Sequence, residues 1–497
     1  MRKDHCFIFL KLQKKCTECF FIEFFLINLV NVSIMRKNSI DTIFALSTFY
    51  GPSAIAVIRI SGPGSLKIGK KLCKIKILKD RFAHLLNIYD LQSNLIDKAL
   101  VIYFKSPKSF TGEDLLEIQT HGSVAIIKKL IGELSKLPSV RPAKPGEFSK
   151  RAFLNGKGDM LYFEGINNLI KSETENQRLI ASKQIFGKDT NKCLLWRQKI
   201  IEILAVVDAE IEFGDEIEKL QHSNIKNNIK KICREIEKSC KSFQTARNLV
   251  HGSRVLIIGP ANAGKSTFFN FLLQNDKMIV SPKEGTTTDQ SDQSIDLLGE
   301  KVIITDTAGI RNTKNEIESL GVKKTILSIK TSQKIIIVLS PDSLIKNNLE
   351  KVKRVLGDVK FKNSVVIFNK SDLKNSKQKF KEWKIKIPAI KNFKSITISC
   401  KNNTKNIKML KKCQQFIHDN LLSVDTNTDD YYFSELRQFE CLNSILKNLK
   451  CANLKFDSLE ILAKYLRDAL TDIDELYGKH DDEDKLEIIF NKFCIGK

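Results

Sequence analysis

At 497 residues the chain exceeds what one hydrophobic core supports, so about two to four domains are expected. Its hydrophobic content of 42% is ordinary for a soluble protein, and its twelve cysteines are scattered, which excludes a disulfide scaffold and fits a reducing, cytoplasmic compartment. The net charge of +25 points toward an acidic partner, a nucleic acid foremost, although lysine is spread without a dominating block and AT-biased codon usage contributes to it.

Residues 1–34 read differently from the rest. The apolar run from Phe20 to Ile34 is interrupted by Glu23, Asn28 and Asn31 and is short for a bilayer span, and no small-residue cleavage site follows it. Cys16 and Cys19 form a lone CxxC without a second ligand pair, so zinc is not expected. With Met35 offering a second start, residues 1–34 are expected to lie outside the fold, and no membrane association is expected.

Residues 35–155 show a mixed α/β pattern. Ile55–Ile60, Ala99–Phe104 and Leu115–Gln119 are strand-like, Ser61-Gly62-Pro63-Gly64 closes the first of them, and Val124–Leu137 has helical spacing. Residues 156–250 become helical, with apolar stripes over Leu194–Phe213 and Ile225–Leu249. From 251 to 415 strands and helices alternate, as a parallel sheet requires. The predicted strands there are Arg254–Ile258, Val302–Thr305, Lys334–Leu339, Ser364–Phe368 and Ile396–Ser399. Residues 416–497 are helical again and are expected to pack with 156–250. The α/β domain would then be an insertion into a helical domain.

The chemistry is carried by Gly259-Pro260-Ala261-Asn262-Ala263-Gly264-Lys265-Ser266, a GxxxxGK[ST] loop between a buried strand and a helix start. Its glycines let backbone N–H groups crowd around phosphates at a helix N-terminus. Lys265 would reach the β/γ-phosphates and Ser266 would ligate Mg²⁺, with Thr287 of the Gly285–Asp289 stretch as the second Mg²⁺ ligand. Asp306-Thr307-Ala308-Gly309 follows a strand, placing a carboxylate to hold Mg²⁺ through water and the Gly309 N–H against the γ-phosphate. Asn369-Lys370-Ser371-Asp372 follows the next predicted strand but one. Its Asp372 carboxylate can accept from the ring N–H and exocyclic amine of guanine together, whereas adenine offers no such donor pair. Ser399-Cys400-Lys401 stands where a base-contacting loop is expected. In this order and spacing the motifs define a GTPase. Ile310 follows the Gly309 motif, an apolar residue where a Ras-like enzyme carries its water-orienting glutamine, so another group must position water.

The residues from about Asp41 to Lys497 resemble the MnmE (TrmE) family of tRNA-modification GTPases. The most specific likeness is Phe493-Cys494-Ile495-Gly496-Lys497, similar to the family's CxGK ending. Supporting stretches are Arg59–Gly62, Ser109–Asp114, Pro145–Phe148, Arg151–Asn155, Asp306–Arg311 and Glu316–Glu318. The sequence departs from the family in its Gly259-Pro260-Ala261-Asn262 order, in Thr288 where a switch arginine is usual, and in a reduced turn at Tyr50–Ser53.

The resemblance implies a Ras-like G domain inserted into a central helical domain, preceded by an N-terminal domain for tetrahydrofolate binding and dimerisation. It implies a K⁺ site at Asn262 with Ser281, Lys283 and Thr286, completed when two G domains meet. Glu318 matches the carboxylate that orients the attacking water through a second water. Arg59, Glu117, Lys157 and Lys497 match folate-contacting positions, and Cys494 lies near the folate as a second candidate catalytic group, the alternative being a small buried residue. The implied GTP contacts run over Asn262, Ala263, Gly264, Lys265, Ser266, Thr267, Ser281, Thr286, Thr287, Asp306, Thr307, Ala308, Gly309, Asn369, Lys370, Asp372, Ser399 and Cys400. The implied activity uses GTP, K⁺, Mg²⁺ and a folate one-carbon unit, in a homodimer working with an FAD-dependent MnmG (GidA) partner. The product carries a (carboxymethyl)aminomethyl group at carbon 5 of the wobble uridine of certain tRNAs. A ribosome-assembly GTPase of the Era or EngA type is the alternative, and it would require a KH-like tail.

Overall fold

The computed structural model describes residues 41–186, 190–213, 222–273, 292–306, 334–356, 363–401, 406–422, 433–456, 458–479 and 483–496. They form two compact units, one running to Phe163 and resuming at Tyr477, the other Glu164–Leu476. The expected 1–34 extension lies outside the described residues. No described helix is long and apolar enough to cross a membrane.

The first unit is built on β1 (Thr42–Leu46), β2 (Ser53–Ser61), β3 (His84–Tyr89), β4 (Leu95–Phe104), β5 (Leu115–Gly122) and β6 (Val140–Pro142). They make one sheet in the order β3-β4-β5-β2-β1-β6, antiparallel except for the β1–β6 pair. Alternation along β2 and β5 sorts the faces. Ile58, Ile60, Leu116 and Ile118 point to one side, where they pack with Ile68 and Leu72 of α1 (Ser65–Cys73) and Leu130 and Leu134 of α2 (Val124–Ser135). Each fully buried Ile or Leu contributes roughly 1.5–3 kcal/mol. On the other side Ile43, Ala45 and Leu115 bury Phe148 of α3 (Glu147–Leu154). The intervening positions on β2 and β5, Arg59 and Glu117, are a register pair on that same side.

The stretch from Pro145 to Asn155, singled out in the sequence only by the family resemblance, has a structural duty. Arg151 is only 8% exposed and donates to Asp41 at 2.9 Å, Glu147 at 3.0 Å and Glu113 at 3.3 Å. A buried guanidinium is tolerable when several acceptors surround it. Gly146, at φ +64, cannot be replaced without strain, because an added Cβ would lie 2.1 Å from the Phe490 carbonyl oxygen. Phe490 itself packs on Phe153 and Phe163, with ring centroids 5.9 and 6.2 Å apart. These contacts bring residues 477–496 into this unit.

The second unit begins in α4 (Met160–Ile170) and continues through α5 (Glu175–Phe186), α6 (Thr190–Phe213) and α7 (His222–His251). The helical spacing predicted over 194–213 and 225–249 is therefore observed. Ile225, Ile229, Ile232, Ile236, Phe243 and Ala246 form the buried stripe of α7. The α/β part follows as β7 (Ser253–Ile258), α8 (Lys265–Leu273), β8 (Asp292–Leu297), β9 (Glu300–Asp306), β10 (Lys334–Leu339), α9 (Lys346–Leu356), β11 (Ser364–Phe368), α10 (Ser376–Lys386) and β12 (Lys394–Thr397). The sheet order is β12-β11-β10-β7-β9-β8, parallel except for the edge strand β8. Helix α8 and α11 (Asn406–Ile417) cover one face, and α9 and α10 the other. A π-helical turn at His418–Leu422 precedes α12 (Leu436–Leu454) and α13 (Leu459–Leu476). Phe439 of α12 stacks on Phe243 of α7 at 4.3 Å, and Asp474 of α13 pairs with Arg197 of α6 at 2.8 Å, so the α/β part is inserted between two halves of one helical assembly. The first unit also contains α14 (Glu483–Phe490).

Strand β9 is anchored at its far end on the helical part. Lys301 pairs with Glu173, the Asn176 N–H donates to the Gly299 carbonyl at 3.4 Å, and buried Glu300 faces His418 at 3.5 Å. The same strand ends at Asp306.

Candidate functional site

In a parallel sheet with helices on both faces, ligand groups gather beyond the carboxyl ends of the strands. The loops after β7, β11 and β12 emerge there, and β9 ends there at Asp306. The phosphate loop turns sharply after β7, with Asn262 at φ +62 and Gly264 at φ +83. Only glycine fits at Gly264, since an added Cβ would lie 2.5 Å from Asn369 Nδ2. Ala263 is buried, whereas Asn262, Ser266 and Thr267 are exposed at the start of α8. Lys265 Nζ donates to the Gly259 and Pro260 carbonyls at 2.9 and 3.0 Å, so the ammonium lies over its own loop.

Asn369 ties the loops together. It is 1% exposed. Its Nδ2 donates to the Ala263 carbonyl at 3.2 Å, and its Oδ1 accepts from Lys370 N at 2.8 Å and from Cys400 N at 3.3 Å. An aspartate could not make the first of these bonds, which is a physical reason for asparagine here. Asp372 is exposed and held by Ser399, whose hydroxyl donates at 2.5 Å; that bond keeps the Asp372 carboxyl below its ordinary range. A fixed, ionised carboxylate at this rim is what recognition of two guanine donors needs. Burial pushes the Cys400 thiol up to about 12, so Cys400 contributes its backbone and a neutral side chain.

One participant escaped the motif reading. Lys370 Nζ donates to the Asn262 carbonyl at 2.7 Å and to Asp342 at 2.6 Å, and Ser340 donates to the same Asp342 at 2.6 Å. Trp383 Nε1 in turn fixes the Ser340 carbonyl at 3.0 Å. Asp342 has no motif signature because it acts through a lysine 28 residues away. Asp306 ends β9 beside Ile257 of β7 in parallel register. Ser281, Lys283, Thr286, Thr287, Thr307, Ala308, Gly309, Ile310 and Glu318 lie outside the described residues.

The first unit carries a second polar site on the side of its sheet that α3 covers in part. Arg59 Nε donates to Glu117 Oε1 at 2.8 Å, with the two side chains 19% and 15% exposed. Arg59 also donates to the Gly496 carbonyl at 3.2 Å, as does Ser47 at 3.0 Å, and its guanidinium lies 5.9 Å from the centre of the Phe110 ring. The Cys494 carbonyl accepts from Gly146 N at 3.4 Å, and its thiol is free and half-buried. Two of the predicted positions, Arg59 and Glu117, therefore meet, and Gly496, two residues after Cys494, joins them through its carbonyl. Lys157 does not join them: its ammonium donates to the Pro107 carbonyl, and Gly112 packs against its stem. Lys497 is outside the described residues. A half-buried ion pair beside an aromatic ring suits a flat heterocycle with both donors and acceptors, so the residues present fit a pterin.

A guanine-selective loop set on a doubly covered parallel sheet defines a P-loop GTPase. Residues 42–157 match the family described as GTP-binding protein TrmE N-terminus, and residues 161–494 match the MnmE helical domain. The tRNA modification GTPase MnmE of Rickettsia typhi is 37% identical over 92% of this chain and all of its own length. That of Aquifex aeolicus is 35% identical over 92% of this chain and all of its own, and that of Aliarcobacter butzleri 33% over 92% and 99%. The chain belongs to the MnmE family of tRNA modification GTPases, and it is a GTPase; the ribosome-assembly alternative is not favoured.

Proposed function

We propose that the protein hydrolyses GTP while modifying carbon 5 of the wobble uridine of certain tRNAs, together with an FAD-dependent MnmG-type partner. What carries this reading is the presence in one chain of the Asn369-centred guanine site and the Arg59–Glu117 ion pair. Asp372 and Ser399 select the base, and Lys265 neutralises the β/γ-phosphates. The hard oxygen donors of Ser266, Thr287 and Asp306 suit Mg²⁺, and Asn262 with Ser281, Lys283 and Thr286 would hold K⁺. When bound, these cations neutralise charge developing on the transferred phosphoryl group. Glu318 orients the attacking water in place of the glutamine that Ile310 replaces.

In the first unit Glu117 would accept from the donor edge of a pterin and Arg59 would fix Glu117. Lys497 suits the anionic tail, as would Lys157 once its ammonium leaves the Pro107 carbonyl, and Cys494 stands beside the site as a further reactive group. Bound folate supplies the one-carbon unit. Dimerisation through the first unit, and contact of two G domains during hydrolysis, complete the reading. Mass analysis of wobble uridines in tRNA from cells lacking the protein tests it: the modified nucleoside should disappear and return with the wild-type gene. Unchanged modification would overturn it.

A further inference from the structure

Lysine is spread along the whole sequence, and one stretch of the second unit is especially rich in it. Between Lys374 and Lys394 the chain carries eight lysines against one carboxylate, Glu382, a net +7 in 21 residues where the whole chain carries +25 in 497. The segment is α10, the 3₁₀ turn Pro388–Asn392 and the start of edge strand β12. Helix α10 spends its apolar side on the domain core, with Phe380 6% and Trp383 0% exposed. Its remaining surface carries its lysines together with Gln378, Glu382 and Ile385. Lys377, Lys381 and Lys384 recur at four- and three-residue spacing, covering about 10 Å of helix axis. Lys379 and Lys386 share the single Glu382, at 3.9 and 3.7 Å, and Lys374, Lys391 and Lys394 extend the exposed band at either end.

We infer that this band on α10 and β12 is a docking surface for the phosphate backbone of RNA, namely the tRNA substrate. This rests on the tRNA-modification reading above. The charge complements a polyphosphate, and the lack of exposed aromatic side chains along the band points to backbone contact without base reading. An anionic bilayer is the poorer match. A membrane-surface helix needs an outward apolar face, and here that face is buried, with Ile385 as the exposed apolar residue of the helix.

The test is tRNA binding by the full-length protein across a salt series, comparing wild type with K374E/K377E/K381E. None of these lysines belongs to the nucleotide machinery, so GTP turnover without tRNA should be unchanged. The charge-matched control reverses Lys408, Lys411 and Lys412, exposed on α11 across the opposite face of the sheet. The band variant should lose about tenfold or more in affinity near 0.1 M salt, and its log–log salt slope should shrink by about 2 to 3, while the control changes little. Equal losses in both variants would reduce the band to general charge and overturn the inference. So would loss of binding to phosphatidylglycerol vesicles with tRNA binding intact. Undiminished tRNA binding by the band variant sinks this inference alone, whereas a wild-type protein that turns over GTP but binds no tRNA sinks the functional reading beneath it.

Discussion

Asn369→Ala is the substitution from which the nucleotide site has most to lose. The side chain is 1% exposed and satisfies one carbonyl and two N–H groups drawn from three loops. Alanine leaves the Ala263 carbonyl, the Lys370 N–H and the Cys400 N–H without that partner. At about 1 kcal/mol for each group left short of a bond, the cost is about 3 kcal/mol, or on the order of a hundredfold in nucleotide affinity. Asn369→Asp should be worse, because it sets a buried anion against the Ala263 carbonyl. The assay is titration with a fluorescent GDP analogue, paired with thermal melting. Both variants should bind more weakly and melt earlier. Asp372→Asn should also weaken GTP binding but leave the melting temperature nearly unchanged, because Asp372 is exposed and the amide oxygen of asparagine can still accept from Ser399. An Asn369→Ala protein that binds within threefold of wild type and melts at the same temperature would refute the reasoning.

Asp342→Asn should speed nucleotide dissociation by only about two- to fivefold, since its pair with Lys370 is partly exposed and such pairs contribute up to about 1 kcal/mol; Asp342→Lys should act more strongly, and equal off-rates in all three proteins would remove Asp342 from the site. Burial alone would raise the Glu147 carboxyl, but hydrogen bonds from Arg141, Lys144 N and Arg151 bring it down to about 2. Its folded value is thus depressed, so it stabilises the first unit fully above the ordinary value near 4.5 and loses that contribution as pH falls toward 2. After solvent screening this is about 1–2 kcal/mol, and Glu147→Gln should flatten the acid limb of a pH–melting curve. Glu173→Gln leaves Lys301 without its half-buried counter-charge and should lower the melting temperature of the second unit, with Lys301→Met in the same chain restoring part of the loss. GTP turnover should rise several-fold when K⁺ replaces Na⁺, and equal rates in both salts would remove the proposed K⁺ site.

Much of the second unit is legible locally. The strands predicted at Lys334–Leu339 and Ser364–Phe368 are found with those bounds, because a fully buried parallel strand is a continuous apolar run that no other local structure explains as well. Strand β8 is not legible: Asp292–Leu297 alternates polar residues with few apolar ones and is held by pairing with β9 at the sheet edge. Strand β1 is a short apolar run whose place between β2 and β6 is set by distant partners. Predicted Ile396–Ser399 instead begins at Lys394, since pairing with β11 sets its limits.

The sequence by itself determined the chemistry of the phosphate loop and the guanine loop. Each needs a few residues at fixed spacing beside a strand, and that requirement is written within about ten residues. Tertiary structure alone decided that Arg59 meets Glu117 across 58 positions and Gly496 across 437. It also decided that Asp342 braces Lys370 and that residues 477–496 belong with the first unit. The physical reason is common to all of these. Each depends on which faces are buried and which chain ends are brought together, and long-range packing sets that without leaving a local periodicity to read.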